Sequence, residues 1–211
     1  MLIVKRLIVL LALSIICLPA AYGAGQTIVV VGDSLSSGYG IGAGQSWVAM
    51  LEDRLQSEGY GYQVVNASIA GDTSAGGLAR LPRLLSTHDP ALVVIELGGN
   101  DGLRGAPVAT LRDNLTKMIE LSQQSGAEVV LAGIQIPPNY GTTYTQALAK
   151  VYPELAERFD AALIDFILAD VALNRELMQP DGIHPNAAGQ KIVFENVWRV
   201  LGPLLTPHDA G

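Results

Sequence analysis

Thr27-Ile28-Val29-Val30-Val31-Gly32-Asp33-Ser34-Leu35-Ser36 is an apolar, β-branched run that stops at a glycine and two polar residues. A run apolar throughout, rather than alternating, belongs to a strand whose two faces are both covered by helices, as in parallel sheets. Gly32 lets the backbone turn sharply, leaving Asp33 and Ser34 just past the carboxyl end of that strand. The motif recurs along the chain. Tyr62–Val65, Leu92–Leu97, Val129–Ile134 and Ala162–Ile164 read as four further strands. Between and after the five lie amphipathic stretches that read as helices: Trp47–Glu58, Ala75–Leu85, Val108–Ser125, Tyr144–Phe159 and Ala187–Leu201. Val108–Ser125 carries Leu111, Leu115, Met118, Ile119 and Ser122 on one stripe, with Gly126 as a stop. Strict alternation of strand and helix predicts an α/β fold, a three-layer, doubly wound, flavodoxin-like sheet of about five parallel strands with right-handed crossovers. In such sheets ligands bind outside the carboxyl ends of the strands.

Length and composition agree. A chain of 211 residues, 49% hydrophobic and 16% charged, can bury one sizeable core, and 23 glycines imply many tight turns rather than disorder. Residues 1–23 are set apart: Lys5-Arg6, the apolar stretch Leu7–Leu18 and the small-residue segment Pro19–Gly23 follow the pattern of a secretory signal cleaved after Gly23. The apolar run is shorter than the ~20 residues that span a bilayer. Cys17 follows Ile16 rather than a small residue, a poor match to a lipid-attachment site. Residues 24–211 then form a single domain, expected as a monomer in a bacterial periplasm or medium, without stable membrane insertion. Cys17 is the only cysteine, so the mature chain has no disulfide, zinc–thiolate site or thiol nucleophile. Loss of Lys5 and Arg6 from 13 basic residues leaves 11 against 20 acidic ones, a surface that repels nucleic acid and anionic membranes.

The strand ends carry the polar residues. After the second strand comes Asn66-Ala67-Ser68-Ile69-Ala70-Gly71-Asp72-Thr73, and after the third Gly98-Gly99-Asn100-Asp101. Taken alone, Gly32-Asp33-Ser34 reads first as a plain turn. His88 reads as a surface-turn residue at the opposite edge of the sheet, and His208 lies at the chain end. His184 is different. It sits in Pro180-Asp181-Gly182-Ile183-His184-Pro185-Asn186, where a carboxylate three residues before an imidazole can hold one ring nitrogen and leave the other free to take a proton. The alternative is a capping turn with a solvent-facing histidine. Together Ser34, His184 and Asp181 supply nucleophile, base and orienter for acyl transfer. Asp33 and Asp101 can be read as metal ligands with His184, or as braces of their own turns; the second reading is preferred, and no metal or other cofactor is expected.

The blocks Gly32-Asp33-Ser34-Leu35, Gly71, Gly98-Gly99-Asn100-Asp101 and Asp181-Gly182-Ile183-His184 resemble, in order, the four blocks of the GDSL, or SGNH, hydrolases. Residues 65–77 and Glu96–Leu103 are similar to the periplasmic thioesterase I, lysophospholipase and arylesterase group within that family. The resemblance implies an oxyanion hole built from the backbone N–H groups of Ser34 and Gly71 and the side-chain amide of Asn100. It also implies an acyl-Ser34 intermediate in the hydrolysis of esters and thioesters. The loop 133–141, after the fourth strand, is a mobile substrate-gripping loop in the thioesterases resembled; Ile136, Pro138 and Tyr140 are its apolar candidates for substrate binding, although a Pro-Pro loop can equally serve only to reverse the chain. Two other readings stand beside this one. A carbohydrate O-deacetylase would share the chemistry, and a flavodoxin-like binding module would share the fold but has no use for the Asp181/His184 turn.

Overall fold

The computed structural model describes residues 26–206. The segment read as a signal, Cys17 within it, and His208 lie outside the described residues. Five strands, β1 (Gln26–Gly32), β2 (Tyr62–Asn66), β3 (Leu92–Glu96), β4 (Glu128–Ala132) and β5 (Ala162–Ile164), form one sheet in the order β2-β1-β3-β4-β5, all parallel. The chain steps outward from β1 to β2, then crosses back over β1 to β3. The topological switch point therefore lies between β1 and β3, where Gly32 pairs in register with Glu96.

Among the described residues seven α-helices accompany the sheet: α1 (Ser34–Ser37), α2 (Trp47–Ser57), α3 (Ser74–His88), α4 (Gly99–Leu103), α5 (Val108–Gln124), α6 (Thr142–Phe159) and α7 (Ala187–Leu201). Helices α2 and α7 pack together, and α5 packs against both α3 and α6, so the sheet is covered on both faces. That is why Ile28–Val31 and Val93–Ile95 are wholly buried and need no polar alternation. The stripe foreseen on α5 is the buried one: Leu111, Leu115, Met118, Ile119 and Ser122. Gly126, with φ +91°, follows its last turn.

The expected architecture is observed, with local corrections. His88 is not in a surface turn: α3 runs on to it and stops at Asp89, which takes the left-handed conformation (φ 42°) and returns its N–H to Leu85 O. α1 and α4 are single turns of helix where the sequence showed only strand-end loops.

Candidate active site

Ser34 begins α1, directly past β1. Asp33 caps that turn, its Oδ1 accepting from the Leu35 N–H at 3.0 Å. The glycine before it is required: a Cβ on Gly32 would lie 2.7 Å from Glu96 Oε2 and 2.8 Å from the Ser36 side chain. His184 arrives from the far end of the chain. Its turn is a narrow antiparallel bridge, Met178 to Pro185, closed by Gln179 N–H donating to His184 O (2.7 Å) and Asn186 N–H donating to Leu177 O (2.8 Å). Asn186 then caps α7 through the Ala188 and Gly189 N–H groups.

The two ends meet. Ser34 Oγ lies 2.8 Å from His184 Nε2, and His184 Nδ1 lies 2.7 Å from Asp181 Oδ2. Burial alone would raise the Asp181 carboxyl, but bonds from the His184 ring and from the His184 and Ile183 N–H groups outweigh it and bring the pKa down to about 2. Asp181 is thus an anion at neutral pH, so Nδ1 carries the proton and donates to it. Nε2 is left as the acceptor of the Ser34 hydroxyl. The Tyr39 ring lies against the His184 ring, centroids 4.7 Å apart and tilted by 47°.

The loop after β2 runs beside the serine turn, with Ala67 N–H donating to Val30 O and Ile69 N–H to Gly32 O. Arg80 on α3 clamps it by donating to Ala67 O, to Gly32 O (3.3 Å) and to Asp72 Oδ2 (2.9 Å). Gly71 is exposed in this loop with φ +78°, a conformation that suits glycine, and its carbonyl accepts from Arg104 (2.9 Å). Asn100 on α4 is half-buried and donates through Nδ2 to Asp33 Oδ2 at 2.8 Å. Its turn too depends on glycine, since a Cβ on Gly98 (φ +121°) would fall 2.1 Å from the Tyr152 hydroxyl. Asp101 bonds Ser74, accepting from its N–H (2.9 Å) and its hydroxyl (2.6 Å).

The loop after β4 divides its candidates. Ile136 is turned inward, packed toward Gly102 behind α4, whereas Pro138 and Tyr140 stand exposed on a short 3₁₀ turn, Pro138–Tyr140. Sequence reasoning gave no role to Glu96, Arg80 or Tyr39. Glu96 had a readable signal, because an acid inside a strand apolar on both faces has no route to solvent.

A hydroxyl on an imidazole that itself rests on a carboxylate, at the switch point of a doubly wound sheet, is the arrangement that serine-type hydrolases use. Residues 30–192 match the model of the GDSL-like lipase/acylhydrolase family. The chain belongs to that family. Esterase TesA of Pseudomonas aeruginosa is 56% identical over 182 residues, 86% of this chain and 90% of that protein. Thioesterase 1/protease 1/lysophospholipase L1 of Escherichia coli is 44% identical over 187 residues, 89% and 88% of the two chains. Among solved structures, psychrotrophic esterase EstA from Pseudoalteromonas sp., inhibited by monoethylphosphonate, superposes with a TM-score of 0.81 at 38% identity, covering 85% of this chain and 98% of its own.

Proposed function

We propose that the protein hydrolyses carboxylic esters and thioesters of small to medium acyl groups through an acyl-Ser34 intermediate, outside the bacterial cytoplasm. The observation that carries the reading is the continuous relay Asp181–His184–Ser34, with links of 2.7 and 2.8 Å. Family membership and relatives named esterase and thioesterase/lysophospholipase support the reaction class.

Ser34 Oγ attacks the acyl carbonyl as its proton passes to His184 Nε2, and Asp181 stabilises the imidazolium. Negative charge gathers on the carbonyl oxygen. The Ser34 and Gly71 N–H groups and the Asn100 amide are assigned to receive it; removing one such donor typically costs about 10²–10³ in turnover. The imidazolium returns its proton to the leaving alcohol or thiol. Water, deprotonated by the same ring, then releases the acid. Pro138 and Tyr140 on the loop after β4 are assigned to the acyl-side wall, and Ile136, packed against Gly102 of α4, to the base of that loop.

The test is covalent labelling with a fluorophosphonate, followed by peptide mapping and a nitrophenyl ester panel from acetate to palmitate with acetylated xylan, acyl-CoA and a lysophospholipid. The expected result is a single adduct on Ser34 and at least a hundredfold loss of ester turnover in Ser34→Ala. No labelling of the folded protein, or Ser34→Ala above about a hundredth of wild-type activity, overturns the reading.

A further inference from the structure

Of the buried acids that the relay leaves unused, Asp33 and Glu96 each reach into the other's turn. Asp33, from the β1 turn, accepts the Asn100 Nδ2–H at 2.8 Å through Oδ2, while its Oδ1 accepts the Leu35 N–H at 3.0 Å. Glu96, at the end of β3, accepts the Asp33 N–H (3.2 Å) and the Ser36 hydroxyl (2.7 Å), both through Oε2. Ser36 Oγ in turn accepts the Trp47 indole N–H at 3.2 Å. The serine turn and the asparagine turn are thus cross-linked twice, in opposite directions.

The second carboxyl oxygen, Glu96 Oε1, is buried with no hydrogen-bond partner among the described residues. An ionised oxygen left unpaired there costs more than one belonging to a neutral carboxyl. The groups around it agree. Asp33 faces Glu96 from the β1 turn and Tyr152 from α6; burial first, then the Asp33 charge, pushes the Glu96 carboxyl well above its usual range. Asp33 itself has the His184 ring and the Asp72 carboxylate as titratable neighbours and two N–H donors on its oxygens.

A primary amide has a donating and an accepting end that sterics alone do not distinguish. At an oxyanion site the difference is decisive, because a flipped Asn100 presents its oxygen to the developing negative charge. We propose that Asp33 is a positioning residue that selects the donating face of Asn100, and that Glu96 fixes the peptide on which Asp33 stands. The inference rests on Asn100 being an oxyanion donor. One N–H of Asn100 is engaged by Asp33 Oδ2, which sets the amide plane and leaves the second N–H as the group available to substrate.

Asp33→Asn tests this with almost no change of shape. An amide has one acceptor oxygen, so it cannot serve both the Leu35 N–H and Asn100. Asp33→Ser retains a good helix cap for Leu35 and is too short for Asn100, providing a second variant should the first fail to fold. Steady-state hydrolysis of a nitrophenyl ester is measured for each, for Asn100→Ala and for the double variants, with thermal melts of all. The expected result is a fall in kcat of about 10- to 100-fold with KM within about twofold, and no further fall when either Asp33 change is added to Asn100→Ala. Glu96→Gln, neutral and of the same shape, is expected to recover most of the kcat lost in Glu96→Ala. Equal losses in the wild-type and Asn100→Ala backgrounds overturn the proposal while leaving the oxyanion role in place. Wild-type kcat in Asn100→Ala overturns both.

Discussion

At the scale of single residues, the acids behind the serine turn make stability depend on pH in a direction opposite to the acid on the histidine. Burial raises Asp33 from 3.8 to about 6, partly offset by its bonds to Leu35 and Asn100 and by His184, and raises Glu96 well above 4.5. For a group raised in the folded state, the stabilising contribution is complete below its unfolded value and disappears as pH climbs through the folded one. Asp181, lowered from 3.8 to about 2, does the reverse: its contribution is present above 3.8 and is lost only as pH falls toward 2. Over the window from pH 4.5 up to the raised Glu96 value Asp181 is therefore silent, while the contributions of Asp33 and Glu96 change. The Tm of Glu96→Gln minus that of the wild type is predicted to grow as pH rises across this window, at about 2–4 °C per kcal/mol for a chain of this size. A difference that stays constant with pH in thermal melts refutes a neutral Glu96. Ser34, Asp181 and His184 were legible because each sits in a short motif where a glycine or proline fixes the backbone. Glu96 lies in a strand, and nothing in its neighbours along the chain reveals that it meets Asp33, 63 residues earlier.

Among the elements, the ones read from sequence most closely are those with an explicit start or stop. β5 at Ala162–Ile164 and α7 at Ala187–Leu201 coincide residue for residue with expectation, α7 because Pro185-Asn186 opens it and Gly202 follows it. α1 and α4 are too short to show a 3.6-residue period, so they hid inside loops. The inward turn of Ile136 depends on the missing side chain of Gly102, a residue on another element, and local pattern cannot reveal it. Asn186 joins local and tertiary roles. Its oxygen caps α7 and its Nδ2 donates to Glu176 O (2.8 Å) and Met178 O (3.3 Å), holding the segment that leads into the His184 turn. Asn186→Ala is predicted to cost about 1–2 kcal/mol in a denaturant titration and to lower kcat more than it raises KM. A stability loss with kcat unchanged would show that the turn holds its shape without this anchor.

For the whole molecule, the order β2-β1-β3-β4-β5 puts the serine and asparagine turns on adjacent strands at the switch point, a position that alternation of strands and helices implied without specifying neighbours. If residues 1–23 direct export, protein recovered from the periplasm or medium begins at Ala24; mass spectrometry of the intact chain checks this, and an uncleaved start at Met1 contradicts it. Charge belongs to this scale as well, since a chain with 20 acidic and 13 basic side chains approaches uncharged acyl substrates more readily than polyanions.

Ser34 and His184 stand 150 residues apart along the chain, and the histidine turn is tied to the serine side by α7, whose Gln190 accepts from Trp47 N–H (2.8 Å) and donates to Leu35 O (3.3 Å). On the proposed relay, Ser34 has no proton acceptor until α7 docks. On the proposed mechanism a chain whose α7 has not docked is inactive, and the first turnover in a refolding experiment is predicted to coincide with the seating of that helix.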